Sequence, residues 1–153
     1  MAASAVQVKG LRELGRSLER LSAEVRTKIA RRATGAGAAV VKAAVKDHAL
    51  RQPTLADEAF THEGVTYEPG HIARNVISKH LGSGAIDSEH IVAVRSNKGN
   101  GYAGRIASLN EFGTVKMAAQ PFMRPGFEES KVAAVNAIAA ALGNGIAAAA
   151  RVK

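Results

Sequence analysis

Residues 110–129 read Asn110-Glu111-Phe112-Gly113-Thr114-Val115-Lys116-Met117-Ala118-Ala119-Gln120-Pro121-Phe122-Met123-Arg124-Pro125-Gly126-Phe127-Glu128-Glu129, and they decide the fold. Three of the four phenylalanines in the 153-residue chain fall here, and two of its four prolines bracket Phe122-Met123-Arg124. A fully buried phenylalanine ring contributes roughly 1.5–3 kcal/mol, so a chain poor in aromatics has gathered its strongest apolar anchors in one place. Gly113 opens backbone conformations that other residues resist, whereas Pro121 and Pro125 fix φ. This mixture describes a junction between elements, not a uniform strand or helix. Pro125 suits the first turn of a following helix, with Glu128 and Glu129 near its positive N-terminal end. Glu111, set against Phe112 and Gly113, is expected to cap a helix or to pair with a basic residue such as Arg124 across the junction. The candidate junction and interface residues are therefore Glu111, Phe112, Gly113, Thr114, Pro121, Phe122, Arg124, Pro125 and Phe127.

Working outward, Phe127, Val132, Val135, Ile138, Leu142 and Ile146 give the last helix an apolar stripe that fades at Gly143-Asn144-Gly145. Residues 132–150 carry no charged side chain, which approaches the length of a bilayer span. The run is mainly alanine, interrupted by Asn136, Gly143, Asn144 and Gly145, and alanine gives little drive for insertion. The expectation is a soluble helix with a small-residue face and no membrane partner.

At the other end, Val6 and Val8 alternate in Met1–Lys9, enough for a short edge strand or an ordered arm. Leu11, Leu14, Leu18, Leu21, Val25 and Ile29 then recur at steps of three and four. Ser22 can restart a helix after a bend, so residues 10–21 and 23–50 are two helices or one kinked helix. Gly35 and Gly37 each cost about 1 kcal/mol in a helix interior relative to alanine, so a closely crossing second helix is expected there. Gln52-Pro53 ends the helix, and residues 52–69 read as an exposed loop carrying a small hairpin, with Ala59-Phe60 and Val65-Thr66-Tyr67 flanking a turn at His62–Val65. Val76–Leu81 and His90–Ser96 read as strands around a Gly82-Ser83-Gly84 turn. Asn97–Gly101 reads as a hairpin tip, followed by a strand-like return from Tyr102 to Leu109. The predicted class is α+β: long N-terminal helices and a C-terminal helix packed on a small, mainly antiparallel sheet, in a single domain over residues 1–153.

The 21 basic and 13 acidic side chains give a formal charge of +8. Residues 1–46 hold ten Lys/Arg against three Glu, placing +7 of this in the first segment. Such a face can follow a phosphate backbone or meet an acidic protein ring, and a solvated helix face has the same composition. No aromatics interleave with these cations as a base-stacking surface requires. Arg12, Arg16, Arg20, Arg31 and Arg32 are the candidate DNA or partner contacts. The absence of cysteine removes disulfides and thiolate metal sites, and the N-terminus lacks the basic start and compact apolar run of a signal peptide.

Candidate chemistry is sparse. Gly99-Asn100-Gly101-Tyr102-Ala103-Gly104 has dinucleotide-loop spacing, but that motif needs a helix immediately after it, and a strand-like segment is expected instead. The histidines at 48, 62, 71, 80 and 90 show no zinc-face spacing and read as separate. Asp57, Glu58, Glu63 and Glu68 read as an exposed acidic loop. No cofactor, metal or catalytic residue is assigned.

Glu-Phe-Gly-Thr at 111–114, a short spacer, then Gln-Pro-Phe-Met-Arg-Pro-Gly-Phe-Glu at 120–128 resembles the tail-completion, or head-to-tail joining, proteins of long-tailed bacteriophages, also termed neck proteins or minor tail components. Pro69–Ile77 resembles the glycine, helical turn and small polar residue that precede the first main strand of that family, with Asn75 where serine is more usual. The resemblance implies a structural virion protein without enzymatic activity that assembles in the host cytoplasm. It would form a ring of identical subunits, a hexamer matching the tail. It would meet the tail terminator and the head-completion or connector proteins, with contact to packaged DNA in the channel. A small basic DNA-binding protein is the alternative.

Overall fold

The computed structural model describes residues 10–19, 22–51, 60–62, 64–82, 88–97, 99 and 102–151. Expectations for residues 1–9, for Arg20, for the helix stop at 52–53, for Asp57, Glu58 and Glu63, and for the turn at 83–84 lie outside them. The element order is α1 (Leu11–Glu19), α2 (Ala23–Arg51), β1 (Phe60–His62), β2 (Val65–Tyr67), α3 (His71–Arg74), β3 (Val76–Gly82), β4 (Ser88–Val94), α4 (Ala103–Phe112) and α5 (Met123–Arg151). The class is α+β.

Of the two readings for the N-terminal region, the structure takes two helices. Ser22 closes the start of α2: its carbonyl accepts from the Arg26 N–H at 3.0 Å and its hydroxyl from the Val25 N–H at 3.4 Å. β1 and β2 form the expected antiparallel hairpin, pairing Phe60 with Tyr67 and His62 with Val65. This register leaves a two-residue loop, and Gly64 adopts φ 76° there, the left-handed geometry such turns require. β3 pairs with β4 in a second two-stranded sheet. The connection, residues 83–87, is too short for a parallel crossover, so this pair is antiparallel too.

One expectation fails. Tyr102–Leu109 is not a strand: α4 spans Ala103–Phe112. The inward residues are Ala103, Ala107, Asn110 and Glu111, a three-four period carried by alanines and polar side chains. Of its bulky residues, Ile106 packs on the core and Leu109 faces solvent. Tyr102 enters the helix at φ 54°, a left-handed conformation costly for an aromatic residue.

Chain contacts group into two compact units. The first comprises Met1–Val40, Lys79–Ile91 and Lys131–Lys153. Its buried apolar residues are Ile29, Ala33, Ala38 and Ala134. The predicted close crossing is present: a Cβ on Gly37 would stand 2.6 Å from Ile138 and 3.2 Å from the Ala134 carbonyl oxygen, both on α5. Farther along α5, Gly145 admits the Ile29 side chain in the same way, its own Cβ position lying 2.8 Å from that side chain. By length and composition, α5 would also suffice to cross a membrane. The mostly buried core helices of soluble proteins meet the same criterion, whereas only 6% of this apolar window is buried.

The second unit comprises Val41–Ser78 and Val92–Ser130. Its core joins Val45 and Ala49 of α2, Ile72 and Ala73 of α3, Val76 of β3, Ala107 of α4, and Phe122. The apolar face of α2 ends at Ala49, leaving Leu50 exposed. Gly126 of α5 lies against the backbone of Val45, where an added Cβ would be 2.8 Å from the Val45 Cα. Gly126→Ala should therefore lower stability by about 1–3 kcal/mol through overpacking, although alanine normally gains about 1 kcal/mol over glycine in a helix. Urea unfolding measures the difference, and a stabilised variant would show that the two backbones are not in contact.

Candidate functional site

Residues 110–126 build the junction between α4 and α5 within the second unit. Helix α4 ends because Gly113 takes φ 76° and ψ −177° while its N–H still bonds the Leu109 carbonyl at 2.8 Å. That conformation is essentially reserved for glycine, and a Cβ at Gly113 would lie 2.8 Å from the Ala119 nitrogen. The chain then makes a tight turn. Thr114 and Met117 exchange backbone hydrogen bonds of 2.8 and 3.3 Å, and the Thr114 hydroxyl accepts from the Lys116 N–H at 3.2 Å. Val115 stands fully exposed at the tip. The return path is fixed by the Gln120 N–H donating to the Asn110 carbonyl at 2.7 Å.

The start of α5 would leave several N–H groups without partners. The Glu111 carboxylate meets them from the facing helix. Its Oε2 accepts from the Phe122 and Met123 N–H groups at 2.8 and 2.9 Å, and its Oε1 from the Arg124 N–H at 3.2 Å. The Arg124 guanidinium adds Nε to Glu111 Oε1 at 3.0 Å and Nη2 to the Glu111 carbonyl at 3.1 Å. It also lies over the Phe112 ring, 5.5 Å from the centroid. Burial acts to raise the carboxyl pKa, but the N–H groups of Met123 and Phe122 and the Arg124 side chain outweigh it, so Glu111 sits below the ordinary carboxylate range.

Both anticipated roles for Glu111, cap and partner of Arg124, are therefore present together. The expected glutamates at the helix start are not: Glu128 and Glu129 fall beyond the first turn of α5, and Glu129 instead meets His48 at 2.6 Å. Pro125 lies in that first turn, as anticipated. Phe122 is 1% exposed, whereas Phe112 is 71% and Phe127 50% exposed. A single ring anchors the junction and two are presented outward. The ring count in the sequence could not separate these roles.

Upstream, Pro69–Ile77 folds as the resemblance implied. Gly70 takes φ 76°, α3 makes one turn, and Asn75 closes it before β3 begins, its side-chain amide donating to the His71 carbonyl at 2.9 Å. Glu68 of the acidic loop pairs with Arg74 at 3.0 Å. Among the candidate basic contacts, Arg12 and Arg16 on α1 and Arg31 and Arg32 on α2 are exposed.

A helix, α4, does follow the Gly99–Gly104 spacing, in place of the expected strand-like segment. The motif still lacks its frame: the preceding strand belongs to a two-stranded antiparallel sheet, not a parallel β-α-β unit. Gly104 serves packing, approaching Ser96 and the Val94 carbonyl. The histidines are not all separate. The His80 and His90 rings meet edge to face at a centroid distance of 4.9 Å across β3 and β4. Among the described residues, no three His, Cys, Asp or Glu side chains gather as a metal set.

Residues 12–113 match the model of the HK97-gp10-like family, a bacteriophage tail-component family. The chain belongs to that family. As an HK97-gp10-like protein it is a structural component of the phage tail, and its location is the virion. The match ends at Gly113, so it takes in Glu111-Phe112-Gly113 and stops before Gln120–Glu128. Comparison with curated proteins and with solved structures gives no match.

Proposed function

We propose that this HK97-gp10-like protein is a neck subunit that closes the tail and joins it to the head, assembling in the host cytoplasm as a ring of identical copies, with a hexamer as the expected number. The reading rests on the family and on one observation: a junction fixed by five hydrogen bonds to Glu111 holds Phe112 in solvent. An exposed ring on a rigid support is the kind of anchor that protein interfaces favour, since little side-chain entropy is lost on contact. The mechanism is docking and closure without a chemical step. The neighbours would be further copies of the chain, the tail terminator and the head-completion or connector proteins.

The isolated chain is expected to be a monomer or weak oligomer that orders on its partner, because small core residues bury little area each. Light scattering on the chain alone and with tail-tube and connector proteins tests this. Phe112→Asp should abolish the higher assembly while leaving the circular dichroism spectrum unchanged, and a permanent tight dimer of the chain alone would overturn the proposal. Exposure of Arg12, Arg16, Arg31 and Arg32 supports a second reading, contact with DNA, as a free DNA-binding protein or within the channel. Phosphate contacts predict affinity that falls steeply with salt, which duplex titrations across ionic strength would reveal.

A further inference from the structure

Four polar side chains of the first unit converge where β3 and β4 meet α2. Thr34 of α2 is the hub. Its hydroxyl lies 3.0 Å from the Ala30 carbonyl, 3.0 Å from Ser88 Oγ and 2.9 Å from His90 Nδ1. Ser88 Oγ is in turn 3.3 Å from His80 Nε2. One hydroxyl has one proton, and the Ala30 carbonyl can only accept, so Thr34 donates there. It must then accept from the Ser88 hydroxyl and from His90 Nδ1–H, and Ser88 is left to accept from His80 Nε2–H. Each imidazole thus supplies one N–H and needs no second. Ser88 and His90, two residues apart on β4, share the face that meets Thr34.

On His90 a second proton would sit on Nε2, which faces Gly35 of α2; a Cβ added to that glycine would stand 3.3 Å from this nitrogen. The neighbouring ring is His80, itself titratable, and the other charged group acting on His90 is Arg31 of α2. Both act against a positive charge on His90. Burial, then His80, then Arg31 hold His90 below the ordinary imidazole pKa.

We propose that the Thr34–Ser88–His80–His90 cluster is an acid-released latch that fastens the β3–β4 ribbon to α2. Above the ordinary imidazole pKa the His90 ring is neutral and the latch is closed. As pH falls through that value toward the lower one of the closed form, the open form takes up protons first, and the stabilisation is lost. Hydrogen exchange on the full chain tests this at the amides of Lys79–Gly82 and Ser88–Ile91. After correction for intrinsic rates, exchange there should be faster near pH 5 than near pH 7.5. In His90→Asn, whose amide can still donate to Thr34 but does not titrate, the difference should largely disappear. NMR titration of the unaltered chain gives an independent readout: His90 should titrate below the ordinary imidazole value, and its midpoint should rise in His80→Gln and in Arg31→Gln. Exchange that does not depend on pH, or a His90 midpoint at or above the ordinary value, would overturn the proposal.

Discussion

Replacing Phe122 with alanine is expected to lower unfolding free energy by about 3–5 kcal/mol, the largest effect of any single truncation among the described residues. The side chain is the largest among those fully buried, and it packs with Val45, Ala49, Ile72, Ala73, Val76 and Ala107. Those neighbours are small or β-branched, and several are alanines with no further side chain to move inward. The cavity should therefore persist, which places the cost toward the upper end of the range. A domain of ordinary stability has only about 5–15 kcal/mol in total, so the variant should be largely unfolded at modest urea. Phe122→Leu, which keeps most of the volume, should cost markedly less. Equal midpoints for the alanine variant and the unaltered chain would show that the core is not organised on this ring.

Glu111→Ala should follow at about 2–4 kcal/mol, combining the loss of a helix cap with the exposure of three N–H groups that had a charged acceptor. Phe112→Ala, one residue away on an exposed ring, should cost far less. Glu111→Gln separates charge from shape. It retains one carbonyl acceptor, so it should recover part of the loss without restoring the interaction with the helix dipole or with Arg124. The pH dependence follows from the lowered carboxyl pKa. A carboxylate stabilised by folding contributes fully above its unfolded value and loses that contribution as pH drops through the folded one. Stability of the unaltered chain should thus fall below about pH 4.5 more steeply than that of Glu111→Gln. Parallel curves for the two proteins would remove Glu111 from its assigned place.

Much of this junction is legible in the sequence because its signals are local. Gly113, Pro125 and a lone glutamate beside a turn each restrict the backbone or demand a partner within a few residues, and the cap by Glu111 follows from those demands. Periodicity likewise finds α1, α2 and α5, and Gly35 and Gly37 announce a helix crossing because their cost must be offset by something. What stays hidden depends on which way a side chain faces. Phe112, Phe122 and Phe127 are chemically identical, and only the packing of α2, α3, β3 and α4 decides that the middle one goes inside. Helix α4 is missed because its buried positions, Ala103, Ala107, Asn110 and Glu111, are small or polar, while of its large apolar residues Leu109 and Phe112 point outward and only Ile106 packs on the core. The pairing of His80 with His90 comes from strand register across a connection, and no spacing rule along the chain reports it.

The turn at Thr114–Met117 divides its labour between backbone and side chain. Its shape is written in main-chain bonds and one threonine hydroxyl, while Val115 at its apex touches nothing that the fold requires. Natural selection can therefore revise that apex freely while leaving the scaffold beneath it untouched.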